Sequence, residues 1–180
     1  MTSSAGADDE LTRLISTLVR DVPGYPQAGV VFKDITPLLA DGPAFSAVVE
    51  ALAAVYGPVD KVAGIEARGF ILAAPVACRL GAGFVPIRKK GKLPGVTFAQ
   101  DYDLEYGTAT IEVLTDAFDP DDRVLVIDDV LATGGTARAT ADLVHRTGAQ
   151  VTGLAVLLEL SVLNGRAKLP DLPVSALLTV

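Results

Sequence analysis

The chain has 180 residues with 22 Asp+Glu against 15 Lys+Arg, a formal net charge of −7, which suits one domain of ordinary size and excludes a basic nucleic-acid coat. Half of the residues are apolar and 21% are charged, so material for a core is ample and global disorder is excluded. One cysteine and one histidine rule out an internal disulfide and a His-rich metal site; with no signal-type N-terminus and no run of ~18 to 20 apolar residues, a cytoplasmic protein without a membrane span is expected.

Residues 1–8 read as a disordered tail. From Asp9, Leu11, Leu14, Ile15, Leu18 and Val19 recur at helical spacing until Pro23, Gly24 and Pro26 stop the pattern. Residues 29–39 (GVVFKDITPLL) read as loop with short extended structure. Residues 43–56 (PAFSAVVEALAAVY) predict a helix with proline in its first turn. A short apolar strand follows over 61–65 (KVAGI), a helix over 70–80 and a strand over 84–87. Residues 88–107 read as the one long structureless stretch, and a loop of that length in a compact domain is usually functional. The segment 108–114 (TATIEVL) alternates as an exposed edge strand should. Residues 123–128 (RVLVID) form a continuous apolar strand, followed by a Gly-rich turn and a helix over 136–146. Further strands are expected over 151–158 and 174–178. Unbroken Val/Ile/Leu strands separated by helices predict an α/β fold, a mainly parallel twisted sheet flanked by helices.

The sharpest chemical signal is 124–136 (VLVIDDVLATGGT). An apolar strand ends in Asp128 and Asp129, and a loop of small residues then opens a helix. In open parallel sheets, ligands sit beyond the carboxyl ends of the strands. Ala132, Thr133, Gly134, Gly135 and Thr136 form a loop that can turn N–H groups and hydroxyls toward an anion, helped by the positive end of the helix dipole. Two acids beside a phosphate cradle would repel a bare phosphate. They suit the vicinal hydroxyls of a ribose, so a ribose 5-phosphate fits across this turn. The GxxxxGK[ST] spacing of a Walker loop is absent.

This motif resembles the phosphoribosyl-pyrophosphate motif of the type I phosphoribosyltransferases. Four further segments, 23–39 (PGYPQAGVVFKDITPLL), 64–71 (GIEARGFI), 86–95 (PIRKKGKLPG) and 103–107 (DLEYG), narrow the resemblance to the adenine phosphoribosyltransferases, over roughly residues 10–180. The resemblance implies a small N-terminal hood segment, a flexible lid over about 90–107 and one domain spanning 1–180. It implies Mg2+-dependent conversion of adenine and 5-phosphoribosyl 1-pyrophosphate to AMP and pyrophosphate, in a homodimer.

Residue by residue, the resemblance places the pyrophosphate loop at Glu66, Ala67 and Arg68, with an unusual cis peptide often found there. Arg68 offers a fixed fork of donors and Gly69 permits close backbone approach. A surface ion pair between Glu66 and Arg68 is the plainer alternative. Arg88, Lys89, Lys90 and Lys92 place four cations within five positions. A solvated face is the plain reading; by resemblance Arg88, Lys89 and Lys92 approach the pyrophosphate, and such residues can reach across a dimer interface. Glu105 falls at the family's catalytic glutamate, which assists loss of the adenine N9 proton or relay through N7, with Tyr106 and Gly107 beside it. Val31, Phe32 and Lys33 are assigned to adenine, Phe32 by stacking, with core packing as the rival for the first two; the family carries Arg or Lys at Lys33. Leu160 is assigned to closing the adenine pocket. Mg2+ is expected to be held mainly by substrate and water, with no direct protein ligand. His145 suits the C-terminal end of its helix, and Cys78 is expected to be buried and inert.

A phosphoribosyltransferase for hypoxanthine, xanthine or orotate is the rival within the enzyme class, opposed by the segments around Phe32 and Glu105. A non-catalytic regulator that keeps the pocket and binds nucleic acid is the rival outside it. That reading would call for an added DNA-binding domain or a basic face.

Overall fold

The computed structural model describes residues 4–103 and 107–180, and these fall into two compact units, Met1–Ala51 and Leu52–Val180. The first unit holds α1 (Ser4–Leu18), β1 (Arg20–Pro23), β2 (Val31–Asp34), α2 (Thr36–Ala40) and most of α3 (Gly42–Ala54). Helix α1 begins at Ser4, inside the stretch read as tail. β1 and β2 pair antiparallel from Arg20↔Asp34 to Pro23↔Val31. β1 and α2 lie within segments read as helix and loop, while β2 is the short extended structure expected in 29–39. Asp34 accepts from Arg20 (Nη2, 2.6 Å) and from the Thr36 N–H (2.9 Å) and hydroxyl (2.7 Å), which fixes the entry into α2. Those bonds, Thr36's first, hold the Asp34 carboxyl down at about 2.

The second unit is built on one seven-stranded sheet with the order β5-β6-β4-β3-β7-β8-β9. Its strands are β3 (Lys61–Ile65), β4 (Gly83–Lys89), β5 (Thr97–Asp103), β6 (Thr108–Leu114), β7 (Arg123–Leu131), β8 (Gln150–Glu159) and β9 (Val174–Thr179). Strands β4, β3, β7, β8 and β9 run parallel, and β5 and β6 form an antiparallel hairpin against β4. The mainly parallel α/β sheet read from the sequence is therefore present.

The structure departs from two expectations. Residues 88–107 are not structureless, because β4 runs to Lys89 and β5 occupies Thr97–Asp103. Phe98, Gln100 and Tyr102 face inward at period two, and both aromatics pack on the core. For the same reason β6 is interior rather than an edge: β5 covers its outer side.

Helix α4 (Arg68–Leu80) follows β3, and α5 (Gly135–Arg146) follows β7. Strand alternation sends Ala63, Ile65, Val124, Val126, Leu154 and Val156 into the cluster completed by Ala137, Ala141, Leu143 and Val144 of α5. The opposite face meets α4: a side chain at Gly64 would strike the Ala73 methyl at 2.8 Å. Both sheet faces are thus covered, which explains why the central strands carry no polar alternation. α4 ends at Gly81, a left-handed residue (φ 66°) whose N–H reaches Ala77 and Cys78 carbonyls.

Candidate active site

The parallel register sets β3 between β4 and β7 with their carboxyl ends on one side, Ile65 of β3 opposite Ile87 of β4 and Gly64 opposite Ile127 of β7. The loops leaving β3, β4 and β7 therefore emerge side by side at the carboxyl edge of the sheet, where parallel sheets place ligands.

β7 does not stop at the acids. It continues through Asp128 and Asp129 to Leu131, paired with Val156 to Glu159 of β8. Ala132 and Thr133 then turn into Gly134, a left-handed residue (φ 78°) that opens α5. A side chain at Gly134 would collide with the Gly165 carbonyl, and one at Gly165 with the Ala132 carbonyl. Two glycines thus press the turn against the segment after β8, and only glycine satisfies both the dihedral and the approach. Asp128, Ala132, Thr133, Gly134 and Thr136 line one small cavity of about 60 Å³. The first-turn N–H groups of α5 lack intrahelical acceptors, as at any helix start, so the cavity has donors for an oxyanion.

The acid pair is electrostatically uncomfortable. Asp129 is 5% exposed. Its own N–H donates to Asp128 Oδ1 at 2.8 Å, and its Oδ2 lies 2.8 Å from Arg68 Nη2. Burial, then the Asp129 charge, push the Asp128 carboxyl well above its ordinary value. Burial also raises Asp129, with Arg68 pulling the other way. Gly69 makes the close approach of α4 to β7 feasible, since a side chain there would meet Asp128 Oδ1 and the Ile127 carbonyl, both at 2.9 Å. The Glu66–Ala67 peptide that leads into α4 is cis.

Glu66 is not paired with Arg68 in the way the plainer reading held. It accepts from Arg88 Nε (3.2 Å) and from the Lys89 N–H (2.9 Å), across the β3–β4 boundary. Burial raises its pKa, but the Lys89 N–H and Arg88 outweigh burial and hold it below the ordinary value. Arg88 also donates to the Lys92 carbonyl (3.3 Å) and lies 6.0 Å from the Phe70 ring centre. Lys89, Lys90 and Lys92 are exposed around the turn at Gly91.

The sequence matches the phosphoribosyl transferase domain family over residues 38–172. It is 60% identical over 173 residues to the adenine phosphoribosyltransferase of Thermobifida fusca, covering 95% of this chain and 98% of the relative. The chain belongs to the adenine phosphoribosyltransferase family. The crystal structure of the Rhodothermus marinus member superposes with a TM-score of 0.91 at 49% identity, over 96% of this chain and 99% of that one. The Trypanosoma brucei member, solved in complex with AMP, pyrophosphate and ribose-5-phosphate, gives a TM-score of 0.85 at 26% identity, over 94% and 79%.

Within this family fold, Asp128, Asp129, Arg68 and the 132–136 turn form one group, and Glu66, Arg88 and Lys89 form the adjoining one. Leu160 lies beside the end of β7, its N–H bonded to the Leu131 carbonyl at 3.0 Å. Val31, Phe32 and Lys33 lie on β2 of the first unit. Val31 is 47% exposed, Phe32 meets Tyr25 edge-on (5.2 Å), and Lys33 Nζ pairs with Asp21 (2.7 Å). Core packing of Val31 is thereby excluded. Glu105 and Tyr106 lie outside the described residues. His145 sits in the last turn of α5, as expected. Cys78 is exposed, not buried, because it falls on the outer side of α4 while Val76 and Ala77 face inward.

Sequence reasoning missed Gly165 and Glu112. The Asn164-Gly165 pair was a visible turn signal, with Asn164 itself left-handed (φ 48°). Its contact with Gly134 is non-local and had no local trace. Glu112 is a buried acid on β6 whose partner is the Gly91 N–H (3.0 Å).

Proposed function

We propose that the protein transfers the 5-phosphoribosyl group of 5-phosphoribosyl 1-pyrophosphate to adenine, releasing AMP and pyrophosphate in purine salvage. The observation that carries this reading is the juxtaposition, at one sheet edge, of a glycine-built anion turn, a poorly compensated acid pair and a cation-bearing turn. The 5-phosphate is taken by N–H and hydroxyl groups of 132–136. The ribose diol donates to Asp128 and Asp129, which satisfies carboxylates that folding leaves crowded. Arg68, Arg88, Lys89 and Lys92 meet the pyrophosphate, with Glu66 and Ala67 shaping the loop. As the C1–O bond lengthens, the ribose gains oxocarbenium character and the departing pyrophosphate gains charge, so these cations act mainly in the transition state.

Glu105 takes the proton that adenine gives up, while Val31, Phe32, Lys33 and Leu160 are the base contacts. Residues 90–107 serve as the lid that keeps water from the activated sugar; β5 lies within it. Asp128 and Asp129 offer the hard oxygen acceptors that suit the hydration shell of an Mg2+ carried mainly by substrate oxygens and water. When bound, Mg2+ supplies charge neutralisation to the pyrophosphate.

One phosphoribosyltransferase domain spanning the chain, a homodimer and a cytoplasmic setting complete the reading, and all three rest on likeness to the family. No helix among the described residues is long and apolar enough to cross a membrane. The test is turnover with 5-phosphoribosyl 1-pyrophosphate, Mg2+ and a panel of bases, following pyrophosphate release. Adenine should be turned over in clear preference to hypoxanthine, xanthine and orotate. No release with adenine sinks the reading.

A further inference from the structure

We infer that Glu112 is a positioning residue for the pyrophosphate side of the site, acting through the turn at Gly91. The inference rests on the reading that the 88–92 cations meet pyrophosphate. β4 and β6 pair at only two positions, Arg88↔Glu112 and Lys89↔Ile111, and the Lys90 N–H extends the ladder to the Thr110 carbonyl (3.1 Å). At Gly91 the backbone turns left-handed (φ 78°), and its N–H bonds to the Glu112 side chain, Oε2 at 3.0 Å, rather than to the β6 backbone.

Burying a carboxyl group is costly unless its oxygens are hydrogen-bonded, and the Gly91 N–H supplies such a bond. Glu112 is 7% exposed and stands directly opposite Arg88 in a run of four cations. Glu66 fixes the same run from the other side, through Arg88 Nε and the Lys89 N–H. Two carboxylates, one just after β3 and one on β6, therefore hold the backbone at 89 and 91, on either side of the exposed Lys90. The partners of both carboxylates lie on the 88–91 run, so loss of Glu112 should be felt by one substrate and not by the other.

Steady-state kinetics on the full-length enzyme test this with Glu112→Ala, Glu112→Asp, Glu112→Gln and Arg88→Ala. Asp keeps the charge but falls one methylene short of Gly91, whereas Gln keeps an acceptor at full reach. Ala and Asp should each raise KM for 5-phosphoribosyl 1-pyrophosphate, and Ki for pyrophosphate, about tenfold, with KM for adenine within about twofold. Gln should bring the first two to within about threefold of wild type. Should Ala fold poorly, the Asp and Gln pair decides alone. The inference is overturned if both KM values rise together, if Gln is as impaired as Asp, or if neither Ala nor Asp changes the pyrophosphate constants while Arg88→Ala does. If Arg88→Ala itself leaves them unchanged, the assignment of the cation run falls, and the inference with it.

Discussion

Two carboxylate settings lie at the same sheet edge, one within β7 and one just after β3, and folding treats them in opposite ways. Near the end of β7, Asp128 and Asp129 are crowded together with Arg68 paired to Asp129, and both carboxyls are held above their ordinary range. After β3, Glu66 is met by Arg88 and a backbone N–H and is held below it. The first setting is left poorly compensated by the fold; the second is compensated within it. A binding group is recognisable by what the fold leaves uncompensated, and a supporting group by what it already satisfies.

The strongest way to break this contrast is to neutralise the poorly compensated pair. Asp128→Asn with Asp129→Asn should lower kcat/KM on the order of 10³-fold, from two lost hydrogen bonds to charged acceptors. Yet the ligand-free variant should melt higher than wild type at pH 7. The sign follows from linkage: a carboxyl raised in the folded state contributes stability below its unfolded pKa and loses it as pH rises through the folded value. Calorimetry should therefore show the advantage of the Asn variant shrinking as pH falls toward the carboxylate range. A lower Tm at pH 7 would remove the claim that the pair is uncompensated.

Glu105→Gln should reduce kcat about 10²-fold with little change in either KM, as expected for a proton-transfer group. Full activity in that variant contradicts its assignment. Gly134→Ala forces a side chain into the Gly165 carbonyl at positive φ and should cost roughly 2 to 4 kcal/mol of stability. It should also weaken binding of ribose 5-phosphate, measured by calorimetric titration on the residual folded protein. The smallest effect is expected at the compensated setting. Glu66→Gln should raise KM for 5-phosphoribosyl 1-pyrophosphate only about fivefold and lower Tm at pH 7. Because the Glu66 carboxyl is depressed in the fold, its contribution is present at neutral pH. It disappears as pH falls from roughly 4 to 5 through the folded value. A Tm difference that persists at low pH would place the effect elsewhere.

What could be read in advance follows the range of the interactions involved. The segment 124–136 declared itself because an apolar run, two acids and a small-residue turn are contiguous, and the structure brings Asp128 and the turn to one cavity. The acids nevertheless disguised the end of β7, which runs three residues further, since charge reads as solvent while Asp129 is in fact buried against Arg68. Thr97–Asp103 escaped because Gly and Pro precede it and its inward aromatics become a strand only against β6. Cys78 misled because an apolar helix still has an outer face. Gly165 and Glu112 matter only through partners 31 and 21 positions away, at Gly134 and Gly91. No local pattern encodes such contacts, so position along the chain gave them no distinction.

Ligand-induced stabilisation of the wild type and of Asp128→Asn tests the central contrast most directly. Both proteins would be melted at pH 7, without and with 5-phosphoribosyl 1-pyrophosphate and Mg2+ at about 100 times the wild-type Kd. The wild type should gain about 2.7 kcal/mol from such a ligand, whereas Asp128→Asn should start higher and gain much less. A variant that starts lower, or that gains as much as the wild type, contradicts an acid pair held in reserve for the ribose.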